Sequence, residues 1–200
     1  MKKTIFLVAA VILLGCKQLD PKLLNPTGQP LSNKLPAMES YVENNLVAIV
    51  DPNGQTIGAN PQDVKTLFDR QATEIITNPY GEKRGYLVLK VNTIKTKLSL
   101  WGGLLGMYTV TLLNVCGVPF ASAKASVEVQ IDIMDAKRRL IGSYRGSGYS
   151  KLDQGYYSKT NYNRINLQRV AYLEAVRQGI NEAMTKLTPD TERLNTELGK

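Results

Sequence analysis

The sequence predicts an α+β domain: a small, mainly antiparallel sheet with two helices on one face. Three observations predict it. Residues 126–134 alternate strictly, with Val127, Val129, Ile131 and Ile133 on one side and Glu128, Gln130 and Asp132 on the other, the pattern of a half-buried antiparallel strand. The polar turn at 135–139 and the return stretch 140–149 make that strand half of a hairpin. Two apolar stripes at helical spacing, Val64, Leu67, Phe68, Ala72, Ile75 and Ile76, then Leu173, Val176, Ile180, Ala183, Met184 and Leu187, require one common layer to cover them.

The remaining elements follow in chain order. Residues 17–34 hold Pro21, Pro26, Gly28 and Pro30 with no apolar period, so 16–40 is expected to be a tether. Residues 46–50 form a short β-rich run closed by the turn residues Asp51, Pro52, Asn53 and Gly54. Asn60, Pro61 and Asp63 supply a cap, a first helical residue and an acidic first turn, so a helix starts there and ends near Asn78 and Pro79. Residues 86–94 alternate as a strand. A second helix runs from Asn163 to Leu187 and stops at Pro189, leaving a polar, frayed tail at 191–200. The folded unit is thus one domain, 41–190, in the order strand, helix, strand, strand, strand, helix.

The first 15 residues do not belong to that unit. Lys2 and Lys3 precede ten apolar residues, 5–14, enough for a secretory h-region and too few to span a bilayer. The leader closes on Leu13, Leu14, Gly15 and Cys16. This string resembles the lipobox of bacterial lipoproteins. The resemblance implies cleavage before Cys16 and a lipid, palmitate included, on its sulfur; no other cofactor is expected. It also implies a cell-envelope protein held on a membrane and facing the periplasm. Lys17 follows the cysteine where enterobacterial-type lipoproteins retained in the inner membrane carry Asp, so by resemblance the outer membrane is expected. The element order over about 45–187 loosely resembles the periplasmic α/β domains of lipoproteins such as the curli secretion channel subunit and the activators of penicillin-binding proteins. That likeness is topological and carries over no functional residue.

Composition narrows the chemistry. Without Lys2 and Lys3 the 25 basic residues become 23, against 17 acidic, a balance of +6. A basic exported protein suits anionic partners such as headgroups or cell-wall polymers, not nucleic acid. Histidine is absent from the chain, which removes the commonest general base and metal ligand. With Cys16 lipidated, Cys116 has no disulfide partner and is expected to act as a small buried hydrophobe.

Two segments are candidates for function. Residues 98–123 contain no charged residue and are bracketed by Lys97 and Lys124. Gly102, Gly103, Gly106, Gly117 and Pro119 argue against one long helix. Three readings stay open: an apolar loop folded into or over the core, a segment that dips into a membrane or contacts a neighbouring subunit, and a transmembrane helix. Trp101, Leu104, Leu105 and Tyr108 are the candidate contacts in the second. The other segment mixes aromatic and basic residues: Tyr144, Arg145, Tyr149, Lys151, Tyr156 and Tyr157, with Gly146, Gly148 and Gly155 between them. Such a set can stack on sugars and bind phosphate or carboxylate. Ser150 and Lys151 are strand neighbours and point to opposite faces, so they make a poor nucleophile and base. Asp132 and Asp135 lack further ligands, and no metal site is expected.

The function expected from the sequence is a non-enzymatic envelope lipoprotein that binds an envelope protein or cell-wall partner, or helps assemble one. The alternative is a membrane-active oligomer using 98–123 to insert or self-associate. A cell-wall or glycan hydrolase is the weakest reading.

Overall fold

In a computed structural model, four strands form one sheet in the order β1-β2-β3-β4: β1 Glu39–Asn45, β2 Gly85–Ser99, β3 Ala121–Asp135 and β4 Leu140–Gln154. The structure describes residues 21–45, 61–109, 112–155, 157–158 and 164–199. Cys16, the run at 46–50 with its turn, the cap at Asn60, the start of the second helix at Asn163, and Tyr156 lie outside them. β2, β3 and β4 are antiparallel neighbours, and β1 lies parallel to β2. A parallel pair needs a crossover, and α1, Pro61–Gln71, lies on that connection. The sheet is therefore mixed but mostly antiparallel, and it packs against two main helices, α1 and the long α4, Arg164–Leu187. Two short helices, α2 Trp101–Tyr108 and α3 Leu112–Val115, sit between β2 and β3, and α5, Thr191–Leu198, closes the chain.

The alternating strand behaves as its pattern requires. Val127, Val129, Ile131 and Ile133 are wholly buried, as are Leu87 and Leu89 beside them. Phe68 and Leu67 of α1 and Ile180, Val176 and Leu187 of α4 cover this face. Each such side chain contributes on the order of 1.5–3 kcal/mol of burial. α4 comes closest to β4, because Gly146 and Gly148 present no side chain: a Cβ on Gly148 would stand 1.7 Å from the Ala175 carbonyl oxygen, and one on Gly146 2.1 Å from that of Gly179. The glycines that punctuate the aromatic and basic segment thus form the bed on which the helix lies. Asp63 and Arg169 clamp the two helices together through a pair of hydrogen bonds of 2.5 and 2.7 Å.

Several boundaries differ from the sequence expectation. α1 continues as a π-helical turn, Ala72–Ile76, and ends there. The stretch expected to be tether is partly core: Leu31, Leu35 and Ala37 are buried, and the amides of Leu31 and Leu35 donate to the carbonyls of Ile75 and Ile76. Three isolated apolar residues among prolines and polar residues can anchor an irregular chain to the core without forming a run long enough to read as a helix or strand. The expected tail forms α5, whose Leu194 and Leu198 are buried against the sheet end.

β4 is an edge strand, and α4 covers its exposed backbone. Glu182 Oε2 accepts from the amide of Ser147 at 3.0 Å, Gln178 Oε1 accepts from that of Tyr149 at 3.3 Å, and Lys186 Nζ donates to the carbonyl of Arg145 at 2.8 Å. Side chains one helical turn apart thereby occupy a row of backbone groups that would otherwise template another strand.

Candidate functional site

The second face of the sheet carries no helix among the described residues, and its residues can be read across the strands from the register. Glu43, Lys90, Gln130 and Arg145 form one row. Lys90 Nζ lies 3.0 Å from Asp132 and 3.6 Å from Glu43, and Arg145 Nε donates to Gln130 at 3.0 Å. Asp132 is nearly buried and accepts from Ser143 at 2.6 Å and Gln130 at 2.8 Å. Burial pushes its carboxyl up, but the hydrogen bonds from Ser143, Gln130 and Lys90 outweigh that and hold it below the usual carboxylate range. The Asp132 hydrogen bond in turn raises the Lys90 ammonium. These charges satisfy one another around a shallow hollow of about 250 Å³. The row is a structural network, and no nucleophile is paired with a base in it.

Farther along the same face the pattern changes, and a β-bulge is the cause. Thr93 pairs with Val127 and Lys95 with Ser126, so Ile94 has no partner and stands exposed. One extra residue exchanges the two faces of a strand. Up to Asn92 the even positions of β2 face outward; after the bulge Lys95, Lys97 and Ser99 do. Lys97, Lys124 and Lys151 consequently stand side by side on three neighbouring strands, all exposed. Among the described residues the one ion pair of the row is Lys151 with Asp153, at 2.9 Å, and Lys124 acts on the same carboxylate from farther off. Burial raises the Asp153 carboxyl, and Ser122, Lys151 and Lys124 together bring it below its ordinary value. A hollow of about 340 Å³ separates this row from Leu105 and Pro119.

Beyond the row lies the uncharged segment. It is not folded into the core. α2 and α3 project from the end of the β2–β3 ribbon with Trp101 71% exposed, Met107 80% and Leu112 67%, and with Leu104, Leu105 and Val115 open as well. Its roots join the core: Ala121 and Ala123 are buried in it, and Leu98, Leu100 and Phe120 pack against it. The side chain of Tyr108 is outside what is described. Cys116 corrects the sequence expectation: it is free and exposed, because its helical turn has no second layer over it. No helix among the described residues is long and apolar enough to cross a membrane.

The aromatic and basic segment divides between the two faces. Tyr144 is not a surface residue. It points inward, only 8% exposed, and donates to Asp190 at 2.7 Å. Burial first, then Asp190, pushes its hydroxyl up to about 12. Strand alternation puts Arg145, Tyr149 and Lys151 on the open face, while Ser150 is buried behind them. Tyr157 is exposed and donates to the carbonyl of Val115 at 2.8 Å, bracing α3. Asp135 closes the β3–β4 turn by accepting from the amides of Lys137 and Arg139. No cluster of three metal-ligating side chains occurs among the described residues.

The sequence shows the three lysines apart, Lys97 and Lys124 as brackets of the uncharged segment and Lys151 in the aromatic and basic segment, but not as one row. A signal was there: residues flanking a β–loop–β segment symmetrically become cross-strand partners, as Lys97 and Lys124 are.

Glu182 gives this region a pH signature. Lys186 first, then the amide and hydroxyl of Ser147, hold its carboxyl at about 2. A depressed carboxyl contributes stability that is full above its unfolded value of about 4.3 and is lost as the pH falls through the folded value. The melting temperature should therefore drop between about pH 4.5 and 2, less steeply in Glu182→Gln. Equal slopes for the two proteins in thermal melts across that window would refute the contact.

The sequence matches no protein-family model and no curated protein. Among solved structures, a candidate lipoprotein from Caulobacter crescentus is similar at 16% identity with a TM-score of 0.33, over 81% of this chain and 90% of that one. A candidate neuraminyllactose-binding hemagglutinin homolog from Helicobacter pylori is similar at 9% identity with a TM-score of 0.33, over 86% and 93%. At these values neither likeness extends to function.

Proposed function

We propose that this protein is a lipid-anchored lipoprotein of the bacterial cell envelope, most simply of the outer membrane facing the periplasm. In this reading it works without catalysis, as a binding or assembly module. The lipobox string ending at Cys16 supports the anchor. The observation that carries the module is the exposed apolar tip around Trp101, Leu104 and Leu105. Apolar surface of that kind on one pole of a folded domain marks a contact site. It favours the reading in which 98–123 touches a membrane or a neighbouring subunit over the reading in which it caps the core. The charges of Glu43, Lys90 and Asp132 are committed to one another, and Arg145 is held by the amide of Gln130, so the row offers little to a substrate.

The anchor is tested by Cys16→Ser. Cells expressing the variant should accumulate an unprocessed precursor that takes up no fatty-acid analogue, whereas the wild type is labelled. Equal labelling of the two would refute it.

A further inference from the structure

Like charges directly opposite on neighbouring strands destabilise a sheet, and neighbouring strands lie only about 4.8 Å apart. Lys97, Lys124 and Lys151 accept that arrangement with a single carboxylate, Asp153, beside them. They sit two residues below the end of the β2–β3 ribbon, and the apolar tip starts just beyond. The order along the molecule is thus exposed Trp and Leu, then a belt of ammonium groups, then a neutralised network. A bilayer surface presents the complementary order: acyl chains, then anionic phosphates, then water.

The path of the N-terminal segment points to the same pole. Gly28 lies against Ile75 and Asn181, Asn25 accepts from Arg70, and the carbonyl of Leu23 accepts from Arg177. Read backwards, the chain steps toward the N-terminal ends of α1 and α4 together. The start of α4 lies toward the tip, because Ala183, Gly179 and then Ala175 pass Gly146 and Gly148 in turn, moving along β4 toward its Gln154 end, which pairs with Ala121 at the root of the tip. From Arg177 to that start is roughly 20 Å of helix. The seven residues from Leu23 back to Cys16 reach up to about 25 Å.

We propose that the Lys97–Lys124–Lys151 row and the tip beside it are a docking site for an anionic phospholipid surface, with Trp101 and Leu105 entering the interface and the three ammonium groups meeting headgroup phosphates. The proposal rests on the anchored-lipoprotein reading and names the partner of its tip. Docking holds the domain tip-first against the membrane that carries its lipid.

Trp101 is the sole tryptophan and reports on the tip directly. The full lipidated protein is placed in vesicles of phosphatidylcholine alone and in vesicles containing phosphatidylglycerol. In the anionic vesicles Trp101 emission should move to shorter wavelength and be quenched by brominated acyl chains. Both effects should be lost at 1 M salt, where screening shortens the Debye length to about 3 Å. Each Lys→Gln change in the row should reduce the docked-to-free ratio about fivefold, as expected for one lysine at an anionic surface. Removing one of the opposed charges relieves cross-strand repulsion, so melting temperatures should hold or rise slightly while docking falls. The proposal is overturned if Trp101 emission is the same in both vesicle types, or if its shift depends on protein-to-lipid ratio and coincides with self-crosslinking, which would assign the tip to a second copy. Failure to float with neutral vesicles would instead overturn the anchor, and a Trp101 shift confined to anionic vesicles would still uphold the docking site.

Discussion

Gly148→Ala lowers the stability of the folded domain by roughly 3 kcal/mol or more, far beyond the usual effect of adding one methyl group. The new Cβ would stand 1.7 Å from the Ala175 oxygen and 2.9 Å from the Gly179 amide nitrogen. Both are backbone atoms of α4, so no rotamer change relieves the clash. The helix must rise from the sheet and uncover Val129 and Val176. The glycine-to-alanine change ordinarily stabilises by about 0.4–1 kcal/mol when the site accepts it, so the sign itself is diagnostic. Gly155→Ala supplies the control: its Cβ would meet Pro119 Cα at 3.5 Å and the Val118 oxygen at 4.0 Å, both ordinary contacts. Chemical denaturation of both variants decides the matter, and a stable Gly148→Ala protein would mean that α4 does not lie on β4 at this distance.

Ile131→Asp unfolds the domain or costs on the order of 3 kcal/mol or more. Ile131 is wholly buried and packs between Leu89 and Tyr144 on the neighbouring strands. Its cross-strand neighbours Leu89 and Tyr144 carry no positive charge to pair with a new carboxylate, so the charge must be neutralised or the core opened. Glu128→Lys, on the open face of the same strand, should change stability by about 0.5 kcal/mol or less. Comparable losses for the two in denaturant melts would contradict the assignment of faces.

The parts legible in the sequence were those with a strong period. β3 alternates over its whole length, and the stripe of α4 from Leu173 to Leu187 continues for about four turns, so the hairpin, the covering helix and the inner face could all be read directly. β1 could not: Glu39–Asn45 is a polar edge strand, held by parallel pairing to β2 and not by its own apolar pattern. Tyr144 could not be turned inward from composition alone, because its neighbours on β4 are glycines that carry no period. Cys116 looked like core because uncharged sequence and burial usually coincide; here the apolar segment lies beyond the end of the sheet, where no layer is available to receive it. The lysine row depends on a parity change at Ile94, and nothing in the residues there, no glycine or proline, announces a bulge.

That bulge also divides β2 into two stretches with opposite phase. Losing the single exposed residue Ile94 would leave the lower half of the strand as it is and turn Lys95 and Lys97 toward the hydrophobic interior, while Thr96 and Leu98 turned outward. A position that tolerates almost any side chain therefore tolerates no change in length. Descendants of this sequence are free to vary what stands at 94, but whether something stands there is as constrained as the identity of Ile131.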